Sequence, residues 1–128
     1  RLAPAVDGAN IVRANKALQT ETVTILLELD GRTEYKAIMQ AGDAIVYEWE
    51  STSNVYYDYH AHQPGGQPDP GFFTRYVEGE GTSDRGAMIA PYTGQHGWYF
   101  LNLSDGPVEI QLTVSGYYDE LVAIDLGG

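Results

Sequence analysis

Pro91-Tyr92-Thr93-Gly94-Gln95-His96-Gly97-Trp98-Tyr99-Phe100-Leu101-Asn102-Leu103, then Ser104-Asp105-Gly106-Pro107, then Val108-Glu109-Ile110-Gln111-Leu112-Thr113-Val114, is the stretch whose reading decides the fold. Two runs of period-2 alternation flank a turn signal, the pattern of antiparallel strands with one buried face. In this reading the runs close a hairpin, with Tyr99, Leu101 and Leu103 answering Val108, Ile110, Leu112 and Val114 across the turn. His96, Trp98, Phe100 and Asn102 then fall on the opposite face. Trp98 and Phe100 are large and apolar, and an apolar outer face is one that something covers. The alternation therefore assigns Trp98 and Phe100 to a partner-binding surface.

Upstream the same period recurs. Val23, Ile25, Leu27 and Leu29 share one face of a strand that ends at the turn Asp30-Gly31, and Arg32 to Met39 follows as a second strand up to the turn Gln40-Ala41-Gly42-Asp43. Ala44 to Glu50 sets Ile45, Tyr47 and Trp49 against Val46, Glu48 and Glu50. Asn54 to His62 sets Val55, Tyr57, Tyr59 and Ala61 toward the core and Tyr56, Asp58, His60 and His62 outward. Gln63 to Gly71, with three Pro and three Gly, reads as a loop. Phe72 to Glu78 and Arg85 to Ala90 complete the strands, with Gly79-Glu80-Gly81 as a turn between them. Residues 1–20 are expected to form a short arm, as helix or linker, ahead of a domain at 21–128, and Tyr117 to Leu126 an edge strand or ordered tail. About eight strands at spacings of roughly 8–12 residues predict an all-β antiparallel sandwich with a jelly-roll-like arrangement.

The chain has 128 residues, enough for one domain with its own core. With no Cys, thiolate catalysis and Cys-ligated metal centres are excluded. A formal charge of −11 repels nucleic-acid phosphates and anionic lipid headgroups, so nucleic acid is excluded as an expected partner. Apolar runs such as Thr22 to Leu27 are far shorter than the roughly 20 residues that span a bilayer.

Glu34-Tyr35-Lys36-Ala37-Ile38-Met39, Gly42-Asp43, Tyr47-Glu48-Trp49, Tyr57-Asp58-Tyr59-His60 and His96-Gly97-Trp98-Tyr99 resemble the pattern of a group of uncharacterised bacterial membrane-anchored proteins with an emp24/GOLD-like β-sandwich. The resemblance spans roughly Thr22 to Tyr118. It implies a GOLD-like fold outside the cytoplasm, in the periplasm or its equivalent, anchored through an upstream membrane helix. It implies no established activity, and GOLD domains as a class mediate protein contacts. Ala61-His62-Gln63-Pro64 departs from the turn that the pattern carries after His60 and adds a third histidine.

Asp58, His60 and His62 recur at every second residue and so share one strand face, spaced roughly 6.5–7 Å per step. With His96, and with Glu48 and Glu50 on a strand expected to pair as a hairpin with Asn54–His62, they form a candidate site for Zn or Cu, Asp58 serving as ligand or as orienter of His60. The plainer reading of the same residues is a solvated polar face. A Ser-His-Asp set drawn from Ser51 or Ser53, His60 and Asp58 lacks a nucleophile elbow, so no catalytic residue is assigned and the protein is read as a non-enzyme. Asp69, Asp84, Asp105 and Asp119 are read as loop acids outside any EF-hand spacing. Tyr56 joins Trp98 and Phe100 as a candidate partner contact. The sequence is thus read as a non-enzymatic interaction or accessory module of a membrane complex, whose partner is another protein. A periplasmic metal-binding domain is the alternative, and a carbohydrate-binding module stands third.

Overall fold

The computed structural model describes residues 8, 10–63, 73–124 and 126. The loop expected at Gln63–Gly71 and the chain end at Gly127-Gly128 lie almost wholly outside the described residues. Within them the chain forms seven strands and no helix: β1 (Gln19–Leu27), β2 (Arg32–Met39), β3 (Ala44–His62), β4 (Thr74–Ile89), β5 (Gly94–Asn102), β6 (Val108–Gly116) and β7 (Glu120–Ala123). All pairings are antiparallel, and the strands form one curled sheet, a half-barrel.

The eight expected strands become six because two expected breaks are not breaks, and the tail after Tyr117 supplies the seventh. Ala44–Glu50 and Asn54–His62 do not pair with each other; they are one strand of 19 residues. The strands expected at Phe72–Glu78 and Arg85–Ala90 likewise merge: Thr74–Ile89 is one strand, β4, which runs through the expected turn Gly79-Glu80-Gly81 and past Asp84. The polar and glycine-rich interruptions face each other. The register jumps there from Glu50↔Ser83 to Val55↔Gly81, so Ser51–Asn54 form an enlarged bulge opposite Thr82 alone. Such a bulge bends a strand without ending it. Its polar side chains serve the bend: Ser51 Oγ donates to Ser53 O at 2.7 Å, and Thr52 Oγ1 accepts from Glu109 N at 3.0 Å.

The same bulge is where β3 changes partner. Ile45–Ser51 pair with β6 and Val55–His62 pair with β5, along the same edge of β3, while β4 lines the other edge. β5 and β6 therefore do not form the expected hairpin. The connection between them passes from one part of the sheet to the other, β6 continuing to β1 and β5 to β2 and β7. The turn at Asp30-Gly31 makes the matching crossing from β1 to β2, with Asp30 in the left-handed region at φ 57°, which a short polar side chain tolerates. The tail expected after Tyr117 supplies β7, an edge strand on β2.

Asn102 locks this corner. Its buried side-chain amide donates to Glu28 O at 2.9 Å and Gly106 O at 2.8 Å, and its Oδ1 accepts from Ser104 N at 2.8 Å and Ser104 Oγ at 2.7 Å. Each hydrogen bond contributes about 1 kcal/mol net, and orphaned buried carbonyls cost more. Asn102→Ala is expected to lower stability by about 2–3 kcal/mol, read as a shifted urea midpoint.

The core follows the alternation for β1, β3 and β6: Ile25, Leu27, Ile45, Trp49, Val55, Tyr59, Ala61, Val108, Ile110, Leu112 and Val114 are buried. For β5 the parity is reversed. Trp98 and Phe100 are 0 % exposed, and His96 and Asn102 point inward with them. Phe100 meets Trp49 edge to face at 5.0 Å between ring centroids, and Trp98 lies 5.7 Å from Tyr47. Tyr99 and Leu101 take the outer positions. The partner surface expected at Trp98 and Phe100 is therefore corrected: both are core, covered by β3 of the same chain.

Residues 10–18 carry no helix. The arm is tied to the sheet by Lys16, whose ammonium pairs with Asp43 and with Asp119 at 2.7 Å.

Candidate functional site

The strand pairing brings the outward side chains of three strands together. In the ladder Lys36 of β2, Gly97 of β5 and His60 of β3 lie side by side, and Glu34, Tyr99 and Asp58 form the adjacent row. Gly97 decides the local geometry. A Cβ there would stand 2.2 Å from Tyr35 O, so no side chain is admitted. The vacant position lets Lys36 cross the strand, and its ammonium donates to His60 O at 2.9 Å. Lys36 also lies 3.0 Å from Glu34 Oε1, which is itself 2.9 Å from His60 Nε2.

Lys36 is 0 % exposed although it points away from the apolar core. Phe73 lies over the histidines, with ring centroids 5.6 Å from His60 and 6.0 Å from His62, and the Arg75 guanidinium stacks on Phe73 at 5.3 Å. Arg75 also engages Asp58, at 2.9 Å from Nη2 and 3.2 Å from Nε. His60 Nδ1 has no hydrogen bond and faces Asp58 Oδ1 at 3.7 Å.

Electrostatics hold this network in a defined state. Burial alone would raise the Glu34 carboxyl; the hydrogen bond from His60 and the charge and hydrogen bond of Lys36 outweigh it and bring the pKa down to about 2. Burial lowers Lys36 more than Glu34 and Asp58 raise it. His62 is lowered by burial and by the positive charge of Lys36, so its ring is neutral and able to ligate near neutral pH.

The sequence-predicted residues divide here. Ligand-capable atoms of His60 and His62 lie within 4.8 Å of each other and of Glu34, a residue the sequence reading missed. Asp58 is adjacent but bound to Arg75. His96 is not part of the cluster. It pairs with Ala61 in the ladder and points to the other face, where Nδ1 meets Tyr76 OH and Nε2 meets Tyr92 O, each at 2.8 Å. With both nitrogens engaged, His96 is a satisfied core histidine. Burial, with a smaller push from Lys36, lowers its pKa against the opposing hydrogen bond to Tyr92 O. The stability that neutral His96 contributes is thus complete above pH 6.5 and is lost as pH falls through its depressed folded-state value. NMR titration is expected to place the His96 midpoint below 6.5; a midpoint above it would contradict this burial.

Glu48 and Glu50 point outward on the far side of the bulge, Glu48 lying 3.7 Å from Arg85, and neither joins the histidines. Ser51 and Ser53 sit at that bulge as well, so Ser51 is nine residues from His60 along one strand, roughly 30 Å at about 3.3 Å per residue. No Ser-His-Asp triad is assembled from these residues. Tyr56 does lie on the outer face, half-buried, with its hydroxyl donating to Glu78 and its ring 6.2 Å from Tyr99.

Comparison with solved structures places the fold. PliG of Aeromonas hydrophila, described as a periplasmic lysozyme inhibitor of g-type lysozyme, superposes with a TM-score of 0.58 over 83% of this chain and 93% of that one, at 16% sequence identity. The fold resembles that of PliG. No family model matches the chain, and no curated protein matches it. At this identity the likeness to PliG is one of fold.

Proposed function

We propose that the protein is a non-enzymatic, extracytoplasmic module that binds another protein and occludes a cationic surface on it, as an inhibitor or accessory subunit. The observation that carries this reading is the correspondence with PliG over 83% of this chain and 93% of that one, because PliG is an inhibitor of another protein, a g-type lysozyme, in the periplasm. The charge of −11 supports it, favouring a basic partner and speeding encounter at low salt. The resemblance to membrane-anchored GOLD-like proteins adds a finer expectation, attachment at a membrane surface through a segment outside this chain.

The test is direct. Purified protein is titrated into a g-type lysozyme acting on cell-wall suspensions, with calorimetry in parallel against lysozymes of other types. Stoichiometric loss of lysis, or saturable binding weakened by salt, is expected. Neither inhibition nor binding with any of them would overturn the inhibitor reading. Fractionation of cells expressing the full-length gene product reads the attachment.

The Glu34, His60 and His62 cluster favours a second reading, a divalent metal site for Zn or Cu. The donor set fits: two imidazoles and a carboxylate. A metal on His60 Nε2 would move that ring's proton to Nδ1, which faces Asp58 Oδ1 at 3.7 Å, the orienting arrangement common around ligating histidines. Lys36 opposes it, because its ammonium already occupies Glu34 Oε1. Zn²⁺ titration is expected to saturate at one equivalent and to weaken as pH falls below about 6.5. Equal uptake by a His60→Ala/His62→Ala variant would remove this reading.

A further inference from the structure

On the inward face of the β3–β4 ribbon lies a second polar group, remote from the Glu34 cluster. Tyr47, Tyr57 and Tyr59 project from β3 on the same side, Tyr47 and Tyr59 edge to face at 5.3 Å and Tyr57 and Tyr59 stacked at 5.1 Å with planes 25° apart. The facing row of β4 is almost free of side chains. Tyr57 pairs with Gly79, Val55 with Gly81 and Tyr47 with Gly86. Gly79 and Gly86 make room for the rings as they lie: a Cβ on Gly79 would stand 2.6 Å from the Tyr57 hydroxyl, and one on Gly86 2.8 Å from that of Tyr47. Both rings therefore lie across the β4 backbone, and both remain half-exposed.

Asp84 is the one charged side chain in that row. Its Oδ2 accepts from Tyr59 OH at 2.8 Å and from Tyr47 OH at 3.3 Å, and Tyr59 OH is in turn bonded by Trp49 Nε1 at 2.6 Å. Oδ1 has no hydrogen bond, and no cationic group lies within 4 Å of the carboxylate, among the described residues. Lys16, Lys36, Arg75 and Arg85 are engaged with other acids. A half-buried carboxylate with one oxygen unused, beside the half-exposed ring of Tyr47, has the composition of a cation site: the ring quadrupole attracts a cation, and the carboxylate supplies the charge-assisted hydrogen bond.

We propose that Asp84 and the half-exposed Tyr47 ring form an open cage for an arginine side chain presented by the protein partner, with the buried Tyr59 hydroxyl holding Asp84 Oδ2 in place. A planar guanidinium can lie on a tyrosine ring while one N–H meets Asp84 Oδ1, a combination that an ammonium satisfies less well. The site deepens the proposed function and rests on it for the identity of the occupant, whereas the cage itself can be probed without any partner.

The probe is L-arginine methyl ester, compared with L-citrulline methyl ester, which replaces the guanidinium by a neutral urea of similar shape. The reporter is the indole N–H signal of Trp49 in the unaltered protein, since its acceptor is the hydroxyl that Asp84 holds. Saturable shifts with the arginine ester, and affinity for the citrulline ester lower by about ten-fold or more, are expected. Asp84→Asn should weaken the arginine ester by a similar factor, whereas Glu80→Gln, an equal loss of charge on the exposed side of β4, should change it less than about two-fold. Equal shifts with the two esters, or none with either, overturn the proposal. Because that comparison uses the unaltered protein, it stands even where Asp84→Asn fails to fold. Discrimination between the esters without any effect on lysozymes would remove the inhibitor reading and leave the cage; the reverse would remove the cage alone.

Discussion

Trp98→Ala is expected to destabilise the domain by about 3–5 kcal/mol, enough to unfold a domain of ordinary stability. The side chain is fully buried beside Tyr47 and directly opposite Tyr59 in the ladder. Deleting it removes its transfer energy and leaves a void between strands that cannot close over it, because β5 is held by hydrogen bonds to β2 on one side and β3 on the other. Phe100→Ala at the neighbouring inward position should fall in the same range. Urea unfolding checks this. A midpoint shift below about 1 kcal/mol for Trp98→Ala would return the residue to the surface that the sequence pattern suggested.

Why that pattern misled is instructive at the level of single residues. The row His96, Trp98, Phe100, Asn102 contains two polar members and the row Tyr99, Leu101, Leu103 none, so polarity pointed the wrong row outward. Each polar member is satisfied inside. His96 finds Tyr76 and Tyr92, and Asn102 finds the carbonyls and the serine of the corner. Polarity predicts exposure only when the fold offers no partners, and partners are a property of topology that alternation does not carry. The strands whose rows are uniformly apolar, in β1, β3 and β6, were assigned to the correct face. The two merged strands went unseen for a related reason: Ser, Asn and Gly clusters signal turns, but the same residues build a bulge when each side of a hairpin carries one at the same height.

The candidate site was half legible. His60 and His62 share a strand face by spacing alone, and that much needs only the period of a β-strand. Glu34 and Lys36 are 24 or more residues away in sequence and reach the histidines only through β5. The available signal was Gly97, a glycine set between large residues in a strand, which marks the close approach of another chain segment. By sequence alone Asp84 falls in a loop, because the glycine-rich turn signal at Gly79-Glu80-Gly81 precedes it. Once β4 is continuous, the same residue falls opposite Trp49 and within reach of the tyrosines.

Glu34→Gln is expected to cost about 3–5 kcal/mol at neutral pH, because it leaves the Lys36 ammonium buried without its counter-charge, with only neutral acceptors such as the His60 carbonyl to receive it. The pair itself need not be a net source of stability, since burying both charges carries its own desolvation cost. Glu34→Gln/Lys36→Met should therefore recover most of the loss, and a double-mutant cycle separates the two contributions. The pH dependence has a definite sign. The Glu34 pKa is depressed in the folded state to about 2 from an ordinary value of 4.5, so its contribution is complete above the unfolded value and is lost as pH falls from about 4.5 through 2. At the other end, burial already lowers Lys36, and losing the carboxylate lowers it further. Glu34→Gln should then approach the wild type as the solution becomes alkaline and Lys36 sheds its proton. Urea midpoints for both proteins between pH 2 and 10 check this, with a gap that narrows toward each end. A gap that stays constant across the range would mean that Glu34 acts by packing and not by charge.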